Sequence, residues 1–70
     1  MEQKKAEIIE RGIIGKYSYH VIITFHDNDN LYHGTAICNK PNSIHAVFSN
    51  EAMEVVYMEC IEWLNDNSKN

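Results

Sequence analysis

Four histidines, two cysteines and ten carboxylates are the side chains of this chain that could do chemistry. His20 and His26 lie in the run Tyr17 to His26, and His33 lies in the run Leu31 to Cys38. Both runs are rich in β-branched and aromatic residues, and the four turn-forming residues Asp27-Asn28-Asp29-Asn30 separate them, which signals a hairpin. With those four residues as the loop, His26 faces Leu31. Phe25 then faces Tyr32, Ile23 faces Gly34, Val21 faces Ala36 and Tyr19 faces Cys38. One hairpin face is wholly apolar, and the other gathers His20, His26 and His33 with Ile22, Thr24, Thr35 and Ile37. Three imidazoles on one face are the beginning of a metal site. His20 stands far along the strand from His26, however, and no carboxylate or cysteine is placed as a further ligand. The expectation is no metal, with the face serving as a half-exposed contact surface. Asp27-Asn28-Asp29-Asn30 has the alternating oxygens that open a calcium loop but lacks its glycine and its distal glutamate, so it reads as a turn.

Nucleophilic catalysis would need Cys38 or Cys60 beside a histidine and an orienting acid or amide. Both cysteines project onto the apolar side, and His45 is the one histidine not assigned to the opposite face. Neither cysteine belongs to a paired zinc motif or a disulfide framework, so both read as reduced core residues. The glycines stand at 12, 15 and 34, too scattered for a phosphate loop. No catalytic residue, cofactor or enzymatic activity is expected.

The remaining carboxylates carry an electrostatic signal. The net charge is −4, yet the first sixteen residues hold four cations against three acids, so the acidity belongs to the C-terminal half. Between Pro41 and Ser68 there is no lysine or arginine. Projected at 100° per residue, a helix over 50 to 65 places Glu51, Glu54, Glu59, Glu62 and Asp66 on one stripe, with no cation for an i,i+4 pair. Such a one-sign face suits a basic protein surface and can mimic a phosphate array. Glu54, Glu59, Glu62 and Asp66 are the expected partner contacts, with Met58 as an apolar anchor. Nucleic acid would have to use Lys4, Lys5, Arg11 and Lys16 for phosphates and Tyr17 or Tyr19 for stacking.

These residues must be positioned by few elements, because 70 residues make a single domain near the lower size limit for one core. Gln3 to Arg11 contains mostly helix formers with Gly12 at a cap position, which favours a short helix over 2 to 11; a strand through Ile8 to Ile14 is the rival. Ile44 to Phe48 follows the turn at Lys40-Pro41-Asn42-Ser43 as a short third strand. Ser49 stands as an N-cap, and Phe48 with Met53 as a hydrophobic staple, for the C-terminal helix. Its apolar arc comprises Ala52, Met53, Val56, Tyr57, Cys60, Trp63 and Leu64, while the polar tail from Asn65 should fray. Val55, Met58 and Ile61 exceed what a small sheet needs to cover, which argues for a second copy of the chain as partner. Gly34 and Ala36 mark where this helix approaches the sheet.

The order of elements resembles that of double-stranded-RNA-binding domains and of the sheet-plus-helix domain of HicB-type antitoxins. The RNA-binding family carries a lysine pair where this chain has Asn50 and Glu51, so the likeness does not extend to its RNA contacts. Gly34-Thr35-Ala36-Ile37-Cys38, a loop, then Phe48-Ser49 leading into a helix, is similar to short proteins of tailed phages and prophages. That resemblance implies a mobile-element setting, in which small acidic proteins act as inhibitors of host nucleases or defence complexes.

The sequence therefore predicts an α+β domain with an antiparallel sheet of two to three strands, a C-terminal amphipathic helix packed on one face, and optionally a short N-terminal helix. Function is expected to be non-enzymatic protein binding: an acidic, phage-encoded inhibitor, or alternatively a nucleic-acid-binding module or an antitoxin-like partner. A homodimer is expected, as is a partner with a basic surface. No long apolar run, leader or lipidation motif is visible, so the expected location is the cytoplasm, that of the host for a phage protein.

Overall fold

A computed structural model describes residues 6–69. Four strands, β1 (Ala6–Ile14), β2 (Tyr17–His26), β3 (Leu31–Cys38) and β4 (Ile44–Asn50), precede one helix, α1 (Met53–Ser68). Each strand pairs antiparallel with the next in chain order, giving a four-stranded meander with β1 and β4 at its edges. No helix among the described residues is long and apolar enough to cross a membrane.

The β2–β3 register is the one expected from the sequence, from Tyr19 opposite Cys38 to His26 opposite Leu31. Asn30 takes φ 56°, and Asp29 Oδ1 accepts a hydrogen bond from Leu31 N at 3.1 Å, so the turn closes on its own side chains. The third expected strand is present as β4, two residues longer than anticipated.

The first segment corrects the sequence reading. Residues 6–14 form a strand rather than the end of a helix, so the sheet has four strands instead of two or three. Residues 2–5 of the expected helix, with Lys4 and Lys5, lie outside the described residues. The decisive local signal is Gly15-Lys16, a two-residue loop joining Ile14 to its partner Tyr17. Gly15 has φ 62°, the positive value demanded of the first residue in a primed hairpin turn. Once the hairpin closes, alternation sends Ile8, Glu10, Gly12 and Ile14 to one face and Ile9, Arg11 and Ile13 to the other. The apolar doublets arise because both faces of β1 are partly apolar.

The helix also differs in its limits. β4 runs through Ser49 to Asn50, so Ser49 cannot cap α1; Ala52 occupies the N-cap position without a side-chain cap bond. Asn50 instead turns the chain, its Oδ1 accepting from Ala52 N at 3.0 Å. With the cap moved, Phe48 and Met53 no longer hold staple positions, although both pack against the core. The tail stays helical to Ser68, where Asn67 Nδ2 donates to Trp63 O at 2.8 Å and Ser68 Oγ to Asn65 O at 3.2 Å.

The core lies between the sheet and α1. Val21, Ile23, Ala36, Cys38, Val56, Cys60 and Leu64 are fully buried. Val56, Cys60 and Leu64 are one helical stripe at i, i+4 and i+8, and they descend onto β2 and β3. Gly34 makes this contact possible: a Cβ there would collide with Val56 Cγ1 and lie 3.2 Å from Cys60 Sγ. Ile61, expected at the margin, packs against the core with Tyr57 and Trp63.

Candidate functional site

Two surfaces carry residues that the core does not use: the sheet face turned away from α1, and the outer stripe of α1.

Alternation assigns His20, Ile22, Thr24 and His26 of β2, Leu31, His33, Thr35 and Ile37 of β3, and Ile9, Arg11 and Ile13 of β1 to the open face. The β3–β4 register adds His45, Val47 and Ser49, because Ile37 pairs with His45 and Thr35 with Val47. This corrects the separate placement of His45: all four histidines of the chain share this face. It also ends any pairing of His45 with Cys38, which is buried on the opposite side.

The face is ordered in rows across the strands. One row is Ile9, Ile22, Thr35 and Val47; the next is Arg11, His20, Ile37 and His45. Six large hydrophobic side chains are exposed among the described residues, and four of them stand here: Ile9 at 62%, Ile13 at 72%, Ile22 at 36% and Val47 at 60%. The sequence reading put the apolar excess on the helix; it is mostly on the sheet.

At the β2–β3 turn, the rings of His26 and His33 stack at 4.0 Å between centroids. His33 Nε2 donates to Asp29 Oδ2 at 2.9 Å, and His26 Nε2 lies 3.1 Å from Thr24 Oγ1 in a hydrogen bond. The His33 hydrogen bond holds the Asp29 carboxyl below its ordinary pKa, with the Leu31 N–H adding to the effect. Stacked rings direct their ring nitrogens along roughly parallel planes rather than toward one centre. Among the described residues, no group of three or more His, Cys, Asp and Glu is placed to hold a metal.

The outer stripe of α1 exposes Glu54, Met58 and Glu62 at i, i+4 and i+8, with Val55 and Asp66 alongside; Glu51, expected on this stripe, is exposed but precedes the helix. Glu59 belongs less to this stripe than expected, being half-buried. Thus Glu54, Met58, Glu62 and Asp66 are exposed to solvent, and Glu59 only partly.

Between these surfaces lies a polar cluster that sequence reasoning missed. Glu10, on the helix side of β1, accepts from Tyr19 Oη at 2.6 Å and from Tyr57 Oη at 2.9 Å, tying β1, β2 and α1 together. The bond to Glu10 and burial push the Tyr19 phenol up to about 12, and Tyr57 shifts upward for the same reasons. Tyr19 crosses Gly12, where a Cβ would stand 2.9 Å from the ring. Tyr17 and Tyr19 therefore point to the helix side, and neither is free to stack on a base from the open face. Lys40 Nζ lies 5.6 Å from the Tyr17 ring centroid. A carboxylate alternating with Ile8 and Ile14 on the apolar side of β1 was the signal available for this cluster, but its partners are 9 and 47 residues away.

No cavity is found among the described residues. Burial, followed by the charge of Glu59, pushes the Cys60 thiol up to about 11, far from a thiolate at neutral pH. Comparison with protein-family models, with curated proteins and with solved structures gives no match in any of the three. What the surfaces do must be reasoned from their own chemistry.

Proposed function

We propose that this chain is a non-enzymatic protein-binding module whose docking surface is the open sheet face. The observation that carries the reading is that Ile9, Ile13, Ile22 and Val47, four of the six exposed large hydrophobics among the described residues, share one sheet face with all four imidazoles and Arg11. Aliphatics scattered over a surface need no explanation, but four on a single open sheet face do. The matching partner is a protein surface with an apolar centre and carboxylates at its margin, because Arg11 and the histidines are the charged or chargeable groups of this face. Ile9→Lys combined with Ile13→Lys tests it. A protein that co-purifies with the wild type after nuclease treatment should be lost by this variant and kept by Glu54→Lys/Glu62→Lys.

The reverse pattern would favour a second reading, an acidic inhibitor of a host nucleic-acid-processing or defence complex acting through Glu54, Met58, Glu62 and Asp66. That reading is supported by the exposed acidic stripe and by the absence of any lysine or arginine from 42 to 67 to neutralise it. Recovery of nucleic acid alone, lost at raised salt, would favour the basic N-terminal segment.

A further inference from the structure

The two sheet edges are unequal. On β1 the register shifts between Ala6 and Ile8, leaving Glu7 as an extra residue, and Glu10 and Arg11 follow. An irregular, charged edge is a poor template for another strand. β4 is Ile44-His45-Ala46-Val47-Phe48-Ser49-Asn50: seven residues with no acid, lysine, arginine, proline or glycine, and a regular register along its whole pairing with β3. Its outward N–H and C=O groups face no neighbouring strand among the described residues, and nothing in its composition deters one.

We propose that β4 pairs antiparallel with β4 of a second copy, with the two-fold axis at Val47, making one continuous eight-stranded sheet. Among the registers such an axis allows, this one alone pairs all seven residues, with Ile44 opposite Asn50, His45 opposite Ser49, Ala46 opposite Phe48 and Val47 opposite itself. The side chains agree with it. Phe48 already stands beside Gly34 within the protomer, and this register gives it the small Ala46 on its other side. The row Ile9, Ile22, Thr35, Val47 continues into its own mirror sequence across the axis. Glu51, just past the end of β4, meets the Ser43 end of the partner strand rather than its own copy, as a parallel arrangement would require. An identical strand is the occupant that matches this edge in length, neutrality and register, and two-fold pairing closes without leaving a second β4 edge to propagate. The inference is independent of what docks on the open face.

The test combines mass with site-specific cross-linking. In the 8.1 kDa chain, the wild type at about 100 µM should sediment at twice the monomer mass. Val47→Lys, which sets two ammonium groups against each other at the axis on a side that tolerates exposure, should sediment as a folded monomer by circular dichroism. Under copper-phenanthroline oxidation, Val47→Cys should cross-link almost completely, since paired strand positions fall within disulfide range. Ile9→Cys is the control: seven strand spacings put it about 34 Å from its copy. The native thiols Cys38 and Cys60 are buried and should not compete. A monomeric wild type, a dimeric Val47→Lys, or cross-linking of Ile9→Cys as readily as Val47→Cys would each overturn the proposal. The last result would indicate face-to-face contact instead. Ile9→Lys should keep the dimer even if it abolishes partner capture, so failure of this proposal is distinct from failure of the docking-surface reading.

Discussion

Replacing Gly34 with alanine should destabilise the protein although alanine is the better residue for a strand interior. The backbone contribution favours the change: an alanine limits the unfolded chain and is worth roughly 0.5–1 kcal/mol. Packing opposes it. The added methyl would overlap Val56 Cγ1 and come within 3.2 Å of Cys60 Sγ and 3.3 Å of Ile23 Cγ1. All three neighbours are fully buried, and a helical valine has one strongly preferred χ1, so Val56 cannot turn away freely. Overpacking of this kind costs about 1–3 kcal/mol, which exceeds the backbone gain. At a mid-range cost of about 2 kcal/mol the net loss is about 1–1.5 kcal/mol, or a fall in Tm of roughly 4–12 °C for a domain of this size. Urea unfolding followed by Trp63 fluorescence and by circular dichroism measures it. The origin of the loss is checked by Val56→Ala, which removes the clashing carbon. Alone it leaves a cavity and destabilises, but combined with Gly34→Ala the two should fall short of additivity by about 1 kcal/mol or more. A neutral or stabilising Gly34→Ala, or strict additivity, would mean that α1 does not rest on β3 at this distance.

Alkaline titration should weaken the fold through Tyr19. Its folded pKa of about 12 lies above the unfolded value of 10, so its contribution is full below pH 10 and is lost as the pH rises from 10 to 12. Tyr19→Phe should flatten the stability profile in that window, and an unchanged slope would count against the bond to Glu10. Gly12→Ala should displace the Tyr19 ring and break this bond, shifting the phenol titration, read by absorbance at about 295 nm, back toward its ordinary range. Met58→Lys supplies the missing cation between Glu54 and Glu62 at i,i+4 spacing; it should stabilise the helix by about 0.5–1 kcal/mol in low salt, an effect that fades as salt is added. Cys38 and Cys60 should react with a thiol reagent only as fast as the protein opens, and rapid labelling of the native state would contradict their burial.

The β2–β3 hairpin was legible because strand alternation and a four-residue turn are local properties: Asp27 to Asn30 set the register, and the register sorted the faces. The long helix and its buried stripe of Val56, Cys60 and Leu64 were legible for the same reason, since a 3.6-residue period needs no knowledge of the partner. Gly34 announced the close approach of the helix, because a glycine inside an otherwise β-forming run usually marks another backbone or helix nearby.

Tertiary structure decided β1 over the helix propensity of its first residues. Gln3 to Arg11 has acceptable helix propensity, and what overrides it is the hairpin ladder to β2 that the Gly15-Lys16 turn starts, together with the Tyr57 bond to Glu10 from 47 residues away. The helix start moved for a related reason, because pairing with β3 holds Ser49 and Asn50 in the strand and denies Ser49 its capping role. The open face followed from these two decisions. With β1 and β4 both in the sheet, Ile9, Ile13, Val47 and His45 join the central histidines on a single surface that no stretch of sequence displays by itself.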